Sequence, residues 1–155
     1  MPRSQGFGCM GFSAFYESAK STTEEQAVAV FQKAVECGVT LFNTATFYGP
    51  LNEEGFGANL RLLKKCLVGV DRSKIQLMVK IGMDTRCPAD KTGTVWVNIG
   101  DEKTLLADVD YALEALGVDY IDIIVLCRVA EAPIEVSMAA MKGIVESGKV
   151  NKILS

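Results

Sequence analysis

The segments ECGVTLFNT, ALGVDYIDIIV and ESGKVNKILS each pass from a helix-like pattern through a glycine into a run of β-branched and apolar residues. A glycine that follows a periodic apolar stripe is a helix stop, and a short apolar run after it is a strand. Repetition of this junction restricts the chain to alternating helices and strands, an α/β arrangement with parallel pairing. YIDIIVLC is almost continuously apolar, as a strand covered on both faces is.

Four helical patterns separate the strand-like runs. The first opens at Thr22, with Glu25 three residues on as a capping box, carries Ala27, Val28, Phe31, Ala34 and Val35 on one face, and stops at Gly38. The second is read from near Asn52, with Phe56, Leu60, Leu63 and Leu67 as its stripe and Gly55 and Gly57 weakening its first turns. A third follows Asp101 and ends at Gly117, and a fourth starts with Pro133 and ends before Gly148. With GFGCMGF, VTLFN, KIQLMVK, YIDIIVLC and VNKILS as strands, the count is about five strands and four helices. Either a doubly wound sheet or part of a (β/α)8 barrel accommodates that count.

At 155 residues, 49% of them apolar, the chain has the size and composition of one domain spanning 1–155. A net charge of −3 gives no basic footprint for nucleic acid. No apolar run approaches the roughly 18 residues needed to cross a bilayer. MPRSQGFGCM lacks the charged start and apolar run of a secretory signal, so a cytoplasmic location is expected. Five scattered cysteines without C-x-x-C spacing argue against a disulfide framework. Histidine is absent, which removes the commonest metal ligand and general base, and no metal site is read.

In either architecture ligands sit beyond the carboxyl ends of the strands. The residues there are Cys9 and Met10, Asn43 to Tyr48, Lys80, Cys127 with Arg128, and Ser155. Lys80 closes an apolar strand, where an ammonium needs a partner or a ligand. A cation beside a phenol favours the phenolate, so Tyr48 and Lys80 together suggest a proton donor. A packed loop tyrosine and a surface lysine are the plainer alternative. The long loop from Met83 to Asp101 lies on the same side, where Trp96 either lines a pocket or packs the loop. Arg128 suits a surface ion pair as well as a substrate contact. Asp119 and Asp122 read as structural, and Cys127 lacks the histidine neighbour that would make it a redox thiol.

The ordered set GFGCMGFSAFY, GVTLFNTATFYGPLNEEGFG, VKIG, LGVDYIDIIVLCRV, APIE and ESGKV resembles the N-terminal half of an aldo-keto reductase, especially the plant and microbial branch related to perakine and pyridoxal reductases. The resemblance implies a partial (β/α)8 TIM barrel and metal-free, NADPH-dependent reduction of aldehydes or ketones. It puts Tyr48 at the general acid and Lys80 at the lysine beside it. Asn43 stands where the family has aspartate, and Cys127 where it has histidine. An asparagine at 43 preserves the shape and can hydrogen-bond the lysine ammonium but loses the ionic half of the contact, and Cys127 is a poor substitute for imidazole, so activity should be impaired. The nicotinamide-end positions implied are Gly8, Cys9, Met10, Asn43, Cys127 and Ser155. A complete barrel takes about 250 residues, so half is expected to be missing and cofactor binding by this chain alone to be weak.

Strands cut from a closed barrel leave two unpaired edges and an uncovered face. Self-association, a larger assembly or a second half is expected to cover them. Two functional classes follow. One is a carbonyl reductase acting on a small carbonyl substrate. The other is an inactive family member serving as a structural or interaction subunit, as potassium-channel beta subunits serve a partner with this scaffold.

Overall fold

The computed structural model describes residues 5–87, 93 and 96–154. In chain order the elements are β1 (Gly6–Gly8), α1 (Ser18–Ser21), α2 (Glu24–Glu36), β2 (Leu41–Ala45), α3 (Ala58–Cys66), β3 (Gln76–Ile81), β4 (Met83–Asp84), β5 (Val97–Asn98), α4 (Glu102–Leu116), β6 (Ile121–Leu126), α5 (Ile134–Glu146) and β7 (Val150–Leu154). Five strands form one parallel sheet in the order β1-β2-β3-β6-β7. Spatial order therefore equals chain order. A doubly wound sheet reverses direction at a switch point, whereas a barrel wall always adds its next strand on the same side. Right-handed crossovers in one direction put the helices on one face, and α2, α3, α4 and α5 pack in series there. The architecture is a partial (β/α)8 barrel wall, with β1 and β7 as its unpaired edges.

Burial follows the two-residue period of the strands. In β3, Leu77, Val79 and Ile81 are fully buried against the helices, whereas Met78 and Lys80 are half-buried on the opposite, concave face. The helix-side core joins Phe31 and Phe42, whose rings lie 4.1 Å apart, to Leu60, Leu63, Leu105, Ile124 and Met141. Arg72 bonds Asp122 at 2.5 Å, and Asp122 also accepts the Leu77 N–H at 2.9 Å. That carboxylate ties two strands together, which is the structural role its sequence position suggested.

Several boundaries differ from the sequence expectation. The capping box of α2 sits one residue later, on Thr23 and Gln26. Thr22 instead closes α1 by donating its hydroxyl to the Ser18 carbonyl at 2.7 Å. The second long helix starts at Ala58, not near Asn52, because two close backbone approaches bend the segment before it. A Cβ on Gly49 would lie 2.0 Å from the Gly55 carbonyl oxygen, and one on Gly55 would lie 1.9 Å from that of Pro50. Within the expected loop from Met83 to Asp101, β4 and β5 form a short antiparallel ladder. By contrast α4 has the expected ends, with Asp101 accepting the Thr104 N–H and Gly117 left-handed at φ 67°. No helix among the described residues is long and apolar enough to cross a membrane.

Asp108 on α4 is 5% exposed and accepts the Gly82 N–H at 3.0 Å. Burial pushes its carboxyl up from 3.8 to about 6, against the opposing pull of the Gly82 N–H and of Arg86. The folded state thus holds this proton more tightly than the unfolded chain. The stabilisation is full below pH 3.8 and is lost as pH rises through 6. A shift of about two units corresponds to on the order of 3 kcal/mol. Relative to the parent, Asp108→Asn should gain stability of that order between pH 4 and pH 7, measured as paired urea-unfolding curves. A pH-independent difference between the two proteins would contradict this.

Candidate active site

The segment that leaves β2 is pinned on three sides. The Thr46 N–H donates to the Lys80 carbonyl at 3.1 Å, carrying the β2–β3 ladder one residue past the end of β2. The Thr46 carbonyl accepts the Gly57 N–H at 2.6 Å, and the Tyr48 carbonyl accepts the Asn59 N–H at 3.0 Å. Gly57 caps α3 in the left-handed conformation at φ 75°, and a Cβ there would fall 2.2 Å from the Tyr111 hydroxyl. No other residue type meets both conditions.

Asn59, fully buried, is the hub of this arrangement. Its Oδ1 accepts the Thr44 hydroxyl at 2.7 Å, and its Nδ2 donates to the Cys9 carbonyl at 2.9 Å and to Ser13 Oγ at 2.7 Å. The Ser13 hydroxyl in turn donates to the Tyr48 carbonyl at 3.0 Å. One side chain thereby joins the end of β1, strand β2, helix α3 and the backbone of Tyr48.

Above this network the Lys80 ammonium donates to the Tyr48 hydroxyl oxygen at 2.9 Å. An ammonium has no lone pair, so the phenol is the acceptor and its own proton is left for another partner. Among the described residues no group accepts it. Tyr48 is only 3% exposed, its ring edge-on to Phe47 at 5.2 Å and to Phe15 at 6.5 Å. Phe15 has φ +63°, an uncommon conformation for a bulky residue, and stands as one wall of the cavity in front of the phenol. That cavity has a volume of about 380 Å³, and Met10, Lys80, Thr85, Trp96, Cys127 and Arg128 complete it. A carbonyl oxygen entering here would meet a hydroxyl donor already backed by a cation.

The other residues singled out in the sequence are placed unequally. Cys127 lines the cavity, its N–H on the Ile81 carbonyl at 3.0 Å. Met10 lines it as well. Asn43 pairs with Met78 rather than with Lys80 in the ladder, and its Nδ2 donates to the Met78 carbonyl at 3.4 Å. Among the described residues it makes no bond to Lys80, because the parallel register sets Asn43 one inward-facing position below the lysine. Gly8 is exposed beside Asn43, with open space where a side chain would stand. Cys9 is fully buried on the helix side, where burial pushes its thiol far above the ordinary range. The thiol is therefore not presented to the cavity, and the Cys9 backbone is taken up by its N–H on the Asn43 carbonyl at 2.9 Å and its carbonyl on Asn59 Nδ2. Ser155 lies outside the described residues. Asn59, Ser13, Phe15 and Thr85 were not found in the sequence. Only Asn59, a polar residue at helical spacing from Leu63 and Cys66 on the buried side of α3, could have signalled its place.

Comparison with known proteins follows the same lines. A sequence model of the Aldo/keto reductase family matches residues 6–153. The chain belongs to the aldo/keto reductase family. Among solved structures it is similar to the aldo-keto reductase AKR11C1 from Bacillus halodurans in its holo form, with a TM-score of 0.73 and 24% identity over 97% of this chain and 45% of that one. The thermostable aldo-keto reductase Tm1743, solved with the inhibitor epalrestat, gives a TM-score of 0.67 and 22% identity over 97% of this chain and 47% of that one. The chain thus spans about half the length of these structures. At such identities the structural likeness establishes the fold alone.

In this aldo/keto reductase chain, Asn59 offers a direct check on the clasp around Tyr48. Asn59→Ala leaves the Thr44 hydroxyl and the Cys9 carbonyl without their buried partner, a loss of about 3 kcal/mol. A urea-unfolding midpoint unchanged from the parent would show that water replaces the amide without cost.

Proposed function

We propose that this chain carries the proton-donating half of an NADPH-dependent carbonyl reductase, converting aldehydes or ketones to alcohols with reduced efficiency. The observation that carries the reading is the 2.9 Å bond from the Lys80 ammonium to the Tyr48 hydroxyl, beside a cavity of about 380 Å³. Tyr48 Oη would give its proton to the carbonyl oxygen as that oxygen gains negative charge, and Lys80 would stabilise the phenolate left behind. Bound NADPH would supply the hydride to the carbonyl carbon.

The residues present fit the nicotinamide end of that cofactor. Bare backbone at Gly8 leaves room for a flat ring, and the Asn43 amide beside it has both donor and acceptor atoms for a carboxamide. Efficiency should be low for two reasons. Asn43 does not reach Lys80, and Cys127 offers a thiol where the family has imidazole. Loss of one positioned hydrogen bond to the developing oxyanion costs about 100-fold or more in rate. A cytoplasmic setting is part of the same reading.

A second reading is favoured by the open sheet, whose edges β1 and β7 each present unpaired backbone groups. In it the chain is an interaction subunit, its edges covered by self-association or by a larger assembly. NADPH titration by cofactor fluorescence, with solution mass measured on the same sample, separates the two. Micromolar binding supports the reductase, and no binding up to millimolar cofactor from a chain in a large complex supports the subunit. For the reductase, Tyr48→Phe should abolish NADPH-dependent aldehyde reduction, and Cys127→His should raise it by about ten-fold or more. Activity unchanged in Tyr48→Phe would remove Tyr48 from the mechanism.

A further inference from the structure

The cavity holds groups that proton donation does not use. Two cations, Lys80 and Arg128, line it, with no carboxylate among the described lining residues. Lys80 is engaged with Tyr48. Arg128 Nη1 bonds its neighbour only, the Cys127 carbonyl at 2.9 Å and the Cys127 Sγ at 3.6 Å, and among the described residues no acid pairs with it. A second group points the same way. Thr85 is 1% exposed, its Oγ1 has no hydrogen-bond partner among the described residues, and it lines the same cavity. A buried hydroxyl without a partner is costly, and native structures usually supply one.

The β4–β5 ladder explains how these groups come together. Asp84 pairs with Val97, and Thr85 and Trp96, which flank that pair in the chain, both line the cavity. Among the described residues, the cavity therefore joins an aromatic face, a hydroxyl without a partner and a cation without a paired acid, beside the Tyr48 donor. A volume of about 380 Å³ lies near the lower end of the roughly 300–1,000 Å³ of small-molecule sites. It suits one ring with a substituent at each end.

We propose that the cavity takes a carbonyl compound that also bears a carboxylate. Its carbonyl oxygen sits at the Tyr48 hydroxyl, its body lies against Phe47 and Trp96, and its carboxylate is held by the Arg128 fork and the Thr85 hydroxyl. The guanidinium matches a carboxylate in planar geometry, which a neutral substituent cannot exploit. The carbonyl end of this inference rests on the reading of Tyr48 and Lys80 as a proton donor.

Trp96 is the sole tryptophan of the chain, so its fluorescence reports this cavity directly and without cofactor. The probes are 4-(hydroxymethyl)benzoate and benzyl alcohol, product analogues that cannot form an imine with Lys80. The acid should bind about ten-fold tighter or better. Arg128→Gln should bring it down to the level of benzyl alcohol, Arg128→Lys should restore part of the difference, and Thr85→Val should weaken the acid. Equal affinities in the parent, a preference that survives Arg128→Gln, or no binding of either probe overturns the inference. The matching aldehydes, 4-formylbenzoate and benzaldehyde, are then offered with NADPH. An acid preference in binding without reduction of either aldehyde fails the reductase reading alone, whereas reduction of both at equal efficiency fails the carboxylate site alone.

Discussion

A single backbone hydrogen bond, from the Thr46 N–H to the Lys80 carbonyl, sets the geometry on which the site depends. It extends the parallel ladder beyond β2, so the chain is still in register with β3 when it turns toward Tyr48. A slip of one residue would send Lys80 into the helix-side core and bring Val79 or Ile81 to the concave face. The hydrophobic pattern of β3 forbids that slip, since Leu77, Val79 and Ile81 are buried at every second position. The placement of the ammonium is thus a by-product of core burial. The 2.9 Å contact with the phenol then follows from the clasp of Ser13, Gly57 and Asn59 around Thr46 and Tyr48.

What could be read from the sequence were features whose signal is periodic or local. The glycine junctions into β2, β6 and β7, the apolar stripes of α2, α4 and α5, and the Asp101 cap all depend on neighbours in sequence. Tyr48 and Lys80 were visible because a polar residue at the end of an apolar strand is out of place. Tertiary approach was what remained hidden. The start of α3 is delayed by contacts of Gly49 and Gly55 with residues several positions away, and Asn59 reaches partners as far as 50 residues distant. The bonding of Asn43 was hidden for a related reason: adjacency on one face of a sheet does not say whether a short amide spans the step between ladder positions, and here it bonds the nearer Met78 carbonyl. Choosing a barrel over a doubly wound sheet likewise required strand order, which no local pattern carries.

The resemblance puts an aspartate and a histidine of the family where this chain has Asn43 and Cys127, and the two changes act together on the charge of the site. Without the acid, the positive charge of Lys80 is not offset from the β2 side. Arg128 adds a second cation at the rim, next to a thiol that is a weak donor. On the proposed reading, the replacements that would weaken carbonyl polarisation would also favour an anionic ligand, so the two proposals share one electrostatic origin.

The position of the site in the sheet divides its functions further. Tyr48, Lys80 and Cys127 come from the ends of β2, β3 and β6, which are inner strands with a hydrogen-bonded neighbour on each side. Their arrangement is held by those ladders and by the helices behind them, and it does not require β1 or β7 to find a partner. Gly8 belongs to an edge strand, and β7, with Leu154 half exposed, forms the other edge. An edge has fewer restraints than an inner strand, and opening there is easier than in the core. The Tyr48–Lys80 pair is consequently built into the centre of the wall. On the proposed reductase reading, the fit of a nicotinamide against Gly8 would depend in addition on whatever pairs with the β1 edge, so cofactor affinity should respond to association at that edge while the Tyr48–Lys80 pair remains in place.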